Sequence, residues 1–247
     1  MPDDTLWRIP ALRELRGRVR DDENVGGLVL TGSHARGLAG VWSDVDVYVV
    51  VRERAGWETT RSEQIDLPVL SMADLADVPV DPTQWWVRYS FVDAHVLLDR
   101  TEGEIHRLVA RWATLTPDEA QRCLSTYLDG YVNFVYRSLK AEREGRRFEQ
   151  RLDAAESTSW MLWTVFALFG RVRPYNKYLR HELTVRPLDA EEWREADLPA
   201  LLDDILDTGD ASAQRTLYRL VESSARRRGH GPTIDAWGDE LRLLRGD

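Results

Sequence analysis

The spacing of apolar and polar positions changes about halfway along the chain. Residues 5–20 place Leu6, Ile9, Leu12, Leu15 and Val19 at helical intervals, with Pro10 near the start, and predict an amphipathic lead-in helix. Short apolar runs then follow, bounded by glycines and polar turns, and each reads as a strand: 25–31, 44–52, 64–71 and 95–99. Pro68 lies inside the third run and cannot donate to a ladder, so that strand should lie at an edge or break early. Up to about residue 105 the chain is strand-rich.

Beyond that point the period lengthens to that of helices. Thr116 followed by Pro117, Asp118 and Glu119 has the composition of a helix start. Over 117–144, Cys123, Leu124, Tyr127, Leu128, Tyr131, Val132, Val135, Tyr136 and Leu139 recur at 3.6-residue intervals. Residues 150–169 repeat the pattern with Leu152, Trp160, Met161, Trp163, Val165, Phe166 and Phe169, and Gly170 supplies a stop. Segments 191–208, 211–228 and 233–245 also have helical character. These patterns predict an α+β unit over residues 1–110, a small mixed sheet with flanking helices, and an all-α helical bundle over residues 111–247.

Composition narrows the picture. With 247 residues, 43% of them hydrophobic, the chain can build two modest cores. Forty-two acidic residues against 33 basic ones leave a net charge of -9, a field that repels nucleic acid and attracts small cations. The single cysteine, Cys123, excludes an internal disulfide framework and a cysteine-based zinc site, and suits a reducing cytoplasm. No apolar run is long enough to span a membrane, and no secretion pattern follows Met1, so a soluble cytoplasmic protein is expected. His95, His106, His181 and His230 show no metal-ligand spacing.

The chemistry lies between the first two strands. Asp44 and Asp46 alternate with Val45 at the head of a β-branched run; along a strand they share one face, about 7 Å apart at the backbone. Two carboxylates on one face repel unless a cation lies between them, and oxygen ligands of this kind suit Mg²⁺ or Mn²⁺ shared with substrate phosphates. Upstream, with ten residues between Ser33 and Asp44, Gly32 allows the backbone to approach a phosphate closely, and Ser33 can donate its hydroxyl and N–H to it. His34 and Arg36 add possible donors.

Gly32-Ser33, ten residues, then Asp44-Val45-Asp46 resembles the signature of the nucleotidyltransferase superfamily that shares its fold with DNA polymerase beta. In overall organisation the chain is most similar to the aminoglycoside nucleotidyltransferases, in which a small catalytic domain precedes a helical bundle. By that resemblance Asp44 and Asp46 bind the catalytic metals, and Gly32 and Ser33 hold the nucleotide's phosphates. A third carboxylate, metal ligand or base, is expected on the next strand. Asp66 is the candidate and Asp93 its rival, because the link from Asp46 to Asp66 is shorter than in many relatives. A cation from the second domain is also implied; Lys177, after the turn that carries Arg171, Arg173 and Pro174, takes that place, with Arg36 as a further phosphate partner. The implied reaction is transfer of AMP from ATP to a hydroxyl of a small molecule, with a cationic aminoglycoside as the acceptor the resemblance points to, at a cleft between the domains. Glu156, Asp129 and the acidic stretch from Leu188 are candidates for binding its amines. Transfer to tRNA or a protein, and a non-catalytic nucleotide-binding module, are the alternatives.

Overall fold

The computed structural model describes residues 6–247; Met1 and Thr5, on which the expectations for the start of the chain bear, lie outside that range. A 3₁₀ turn, Leu6–Arg8, leads into α1 (Pro10–Val19), and Pro10 occupies the first helical position, where its missing N–H costs nothing. Strand β1 (Val25–Leu30), the single turn α2 (Gly32–Ala35) and β2 (Val45–Val51) follow. Next come β3 (Thr60–Arg61), β4 (Ile65–Leu67), β5 (Val69–Ser71) and α3 (Met72–Ala76). A long 3₁₀ segment, Pro82–Phe91, precedes β6 (His95–Asp99) and α4 (Glu104–Ala113).

The strands form one mixed sheet in the order β3-β4-β2-β1-β6, with β5 also paired to β2. β2 runs antiparallel to β1 and parallel to both β4 and β5. The run expected as one strand over 64–71 breaks at Pro68: β4 lies between β3 and β2, whereas β5 pairs with β2 alone. The first half of the run pairs with β2 at Asp46 and its second at Val49, and the Pro68 carbonyl accepts from the Val49 N–H at 2.9 Å. Pro68 thus accepts from the ladder, the one role its ring permits. β3 lies outside the sequence expectation; a two-residue strand is too short to show a period of its own.

Alternation along the strands assigns the two faces. Val45, Val47, Val49 and Val51 join Leu28, Leu30 and Leu67 in a core packed against Leu12, Leu15 and Val19 of α1. On the opposite face Val29 and Val50 meet Leu75, Phe91 and the α4 residues Ile105, Leu108, Val109 and Trp112. Each such side chain contributes about 1.5–3 kcal/mol when fully buried. Tyr48, Asp46 and Asp44 share the parity of Val50. That face of β2 therefore passes from core at Val50 to carboxylates at its N-terminal end.

Two features secure α4. The wholly buried Arg88 donates from Nε to the Trp112 carbonyl (3.1 Å) and from Nη2 to that of Thr114 (2.5 Å), satisfying acceptors that a helix end leaves open. Gly27 lets α4 approach the sheet, because an added Cβ would lie 2.4 Å from Ile105 Cδ1 and 2.6 Å from the Leu98 carbonyl oxygen.

The chain divides into two compact units after Thr114. The second is wholly helical among the described residues: α5 (Pro117–Arg143), α6 (Arg147–Leu168), α7 (Leu179–Val185), α8 (Leu198–Thr208), α9 (Ala211–Arg227), α10 (Gly231–Asp235) and α11 (Leu241–Arg245). Thr116 and Glu119 close a capping box at the head of α5. α5 and α6 form a hairpin that is tightly packed at Gly130, where a Cβ would come within 2.4 Å of the Trp160 ring. Buried Glu182 takes both Arg171 and Arg186, and Glu222 takes Arg226 and Arg245. Among the described residues no helix is long and apolar enough to cross a membrane.

Gly27→Ala overpacks the junction of β1, β6 and α4, and the Leu98 backbone oxygen cannot move aside as a side chain would. Its expected cost is about 1–3 kcal/mol, read as a lower urea midpoint at unchanged m-value.

Candidate active site

The site is built on the crossing from β1 through α2 into β2. At the end of β1, the Thr31 N–H donates to the Asp46 carbonyl at 2.8 Å, tying the start of the turn to the middle of the acidic segment. Gly32 follows with φ of +67°, a left-handed conformation that glycine adopts without penalty. A Cβ on Gly32 would stand 1.9 Å from Asp46 Oδ2 and 2.8 Å from its Cγ. The Asp46 carboxylate therefore occupies the space that any side chain at position 32 would fill, and the backbone of the Gly32-Ser33 turn and the carboxylate are in contact.

The structure brings three of the candidate acids to one end of the sheet. Asp44 immediately precedes β2, Asp46 is its second residue, and Asp66 on β4 is the register partner of Asp46. Register partners on adjacent strands project from the same face. Asp44, Asp46 and Asp66 are all half-buried. Tyr48 lies below them on that face, its ring 4.9 Å from Phe91 and its hydroxyl 3.3 Å from Ser90 Oγ. Burial pushes its phenol above the ordinary value, and the negative charges of Asp46 and Asp66 push it the same way, against the Ser90 hydrogen bond. Arg61 on β3 faces Asp66 in register, with Nε 3.9 Å from Oδ2, but is largely exposed. Such a pair is worth little in water.

Asp93 takes a different position. It occupies a left-handed corner (φ +60°) between the 3₁₀ segment and β6, with Arg36 Nε 3.9 Å from its Oδ2. Arg36 itself is turned inward and its side chain is fully enclosed. It donates to the carbonyls of Gly32 (2.9 Å), Tyr89 (2.7 Å) and Val92 (2.5 Å) and lies over the Tyr89 ring. In this arrangement Arg36 braces α2 against the segment that ends at Val92. Its guanidinium is committed to protein carbonyls, that of Gly32 among them.

The remaining candidates lie in the helical unit. Lys177 is exposed on the 3₁₀ turn Asn176–Tyr178, its ammonium 4.8 Å from the Tyr178 ring. Arg171 is held by Glu182, and Arg173 lies over Trp163 and donates to Asn176 Oδ1 at 3.2 Å. Asp129 accepts from Trp237 Nε1 and Glu156 from Trp160 Nε1.

The donor set suits a hard divalent cation: Asp44, Asp46 and Asp66 are oxygen ligands at one end of the sheet, and the Asp46 carboxylate lies against the backbone at Gly32. Among the described residues no group of three or more His, Cys, Asp or Glu side chains is gathered closely enough to hold an ion alone. Substrate oxygens would have to complete the shell, which is the usual arrangement for Mg²⁺ at phosphates.

Residues 12–81 match the family model described as a nucleotidyltransferase domain. This protein carries a nucleotidyltransferase domain. The match opens in α1 and closes at Asp81, so it contains Gly32, Ser33, Asp44, Asp46 and Asp66 and stops short of Asp93. Among curated proteins none matches the chain. The nucleotidyltransferase domain supports nucleotidyl transfer as the activity of the enzyme. Two contributors lay outside sequence reasoning, Tyr48 and the bracing role of Arg36. A tyrosine in a strand pattern looks like core, and an arginine after a Gly-Ser turn looks like a phosphate ligand.

Gly32→Ala tests the contact. The added methyl displaces Asp46 or the turn by about 1 Å or more, and the expected loss in nucleotidyl-transfer kcat/KM is at least about a hundredfold. Gly40→Ala, where a Cβ meets nothing within 4 Å, is the control and should leave the rate within about twofold.

Proposed function

We propose that the protein is a Mg²⁺- or Mn²⁺-dependent adenylyltransferase that transfers AMP from ATP to a hydroxyl of a small, cationic acceptor of the aminoglycoside type. The observation that carries this reading is the contact of Gly32 with the Asp46 carboxylate, flanked by Asp44 and Asp66. In it a phosphate bound along the Gly32-Ser33 backbone must lie against the acids. A bound divalent ion would neutralise phosphate charge and polarise the α-phosphorus.

On this reading Asp44 and Asp46 hold the ion and so orient the triphosphate, while the Gly32 and Ser33 amides and the Ser33 hydroxyl grip its oxygens. Asp66, beside Asp46, serves as the third carboxylate and receives the proton of the attacking hydroxyl. The acceptor oxygen forms a bond to the α-phosphorus, the bond from that phosphorus to the bridging oxygen breaks, and pyrophosphate leaves with the electron pair. Asp93 has no part in this scheme. Arg36 acts as a positioning residue, and the assignment of Lys177 to the phosphates rests on the family resemblance. The net charge of -9 favours a cationic acceptor over a polyanion. The protein is expected in the cytoplasm, where ATP is available.

The test is pyrophosphate release from ATP with Mg²⁺, measured against a panel of aminoglycosides and, separately, against bulk tRNA. Release that depends on an aminoglycoside and falls at least about a hundredfold in Asp44→Asn and in Asp46→Asn is expected, since each carboxylate contributes several kcal/mol to charge stabilisation. Lys177→Ala should raise KM for ATP in the same assay. Release only with tRNA would replace the acceptor class. No release with any acceptor, or full activity in Asp46→Asn, would overturn the reading.

A further inference from the structure

The segment between α2 and β2 ends in a tight turn of unusual composition. Ser43 N–H donates to the Gly40 carbonyl at 3.1 Å and the Gly40 N–H to Ser43 Oγ at 2.9 Å, so Val41 and Trp42 occupy the two corner positions. Such corners favour Gly, Pro, Asn, Asp and Ser. Here both are apolar and almost wholly in water, Val41 at 93% exposure and Trp42 at 96%, with Leu38 at 42% in the same loop. A turn that needed only to connect α2 with β2 would gain nothing from an indole at its tip.

The turn lies beside the proposed metal ligands. Trp42 is two residues from Asp44, and both line a cleft of about 1020 Å³ on the first unit. Two residues of chain span at most about 7 Å, roughly the reach of one sugar ring. The cleft combines apolar residues, Ile9, Pro10, Val41 and Trp42, with polar and charged ones, His34, Asp44, Arg61 and Glu63. That combination suits a nucleoside triphosphate, which offers both a flat base and charged phosphates. We propose that Trp42 is the surface on which the base of the donor nucleotide stacks, which makes it a specificity-determining residue for this enzyme. Stacking requires only a π face, so it favours purines over pyrimidines by area and does not read hydrogen-bonding edges. This inference rests on the nucleotidyltransferase reading of the Gly32–Asp46 site.

Binding of a nonhydrolysable ATP analogue and of inorganic tripolyphosphate, each with Mg²⁺ and without acceptor, tests it on the full chain. In Trp42→Ala the analogue's affinity should fall about tenfold, with tripolyphosphate unchanged, because only the base has lost its partner. Trp42→Phe should recover most of the loss, which a merely steric role of the indole would not give. The preference of the wild type for the ATP analogue over the corresponding UTP analogue should shrink in Trp42→Ala. Equal affinity of Trp42→Ala and wild type for the ATP analogue, with tripolyphosphate still bound, would overturn the stacking role and leave the phosphate site standing. Failure of the wild type to bind either compound would remove both.

Discussion

The contact between the backbone at Gly32 and the carboxylate of Asp46 is the constraint on which the rest of the first unit depends. It requires glycine at position 32 twice over, once for its left-handed φ and once for the space that Asp46 fills. It also requires β1 and β2 to be adjacent and antiparallel, so that the turn leaving β1 folds over the second residue of β2. The Thr31-to-Asp46 backbone bond and the Arg36-to-Gly32 bond hold that geometry from either side. Carboxylates so placed repel one another and any phosphate nearby unless a cation intervenes. A metal-bound nucleotide would meet that electrostatic demand.

The sheet explains how such a demand is tolerated. β2 is central, and its two faces differ in how far along the strand they stay apolar. On the α1 side Val45 to Val51 remain core throughout, whereas on the α4 side the core ends at Val50 and Tyr48 and gives way to Asp46 and Asp44. The buried packing of Phe91, Ile105 and Trp112 anchors the strand while its head carries the acids Asp44 and Asp46. Tyr48 lies at the transition, apolar toward Phe91 and polar toward Ser90, with the acids above it. Stability and charge are thus separated along one strand.

Much of this was legible in the sequence, and the limits are physical. The period switch near the middle of the chain, the lead-in helix and the main strands follow from local spacing, as does the sharing of a face by Asp44 and Asp46. Pro68 announced a disruption, but whether it would fall at an edge or split an inner strand depended on which neighbours the strand acquired, and no local pattern records that. The adjacency of Asp66 to Asp46 is likewise a matter of register between segments about twenty residues apart. Arg36 shows the reverse difficulty. Its place after Gly32-Ser33 suggested a phosphate partner, and its burial among the carbonyls of Gly32, Tyr89 and Val92 depends on a 3₁₀ segment more than fifty residues away. The exposed pair at the Gly40–Ser43 turn could be read only once the fold had shown which apolar residues it leaves outside.

We propose that the acids and the glycine-serine turn bind one metal-nucleotide unit together. Calorimetric titration of the wild-type protein with a nonhydrolysable ATP analogue, first with Mg²⁺ and then with EDTA, tests it most directly. Affinity that is strong with the metal and at least about a hundredfold weaker without it is the predicted result. Equal affinity under both conditions would show that the acids do not hold the nucleotide through a metal.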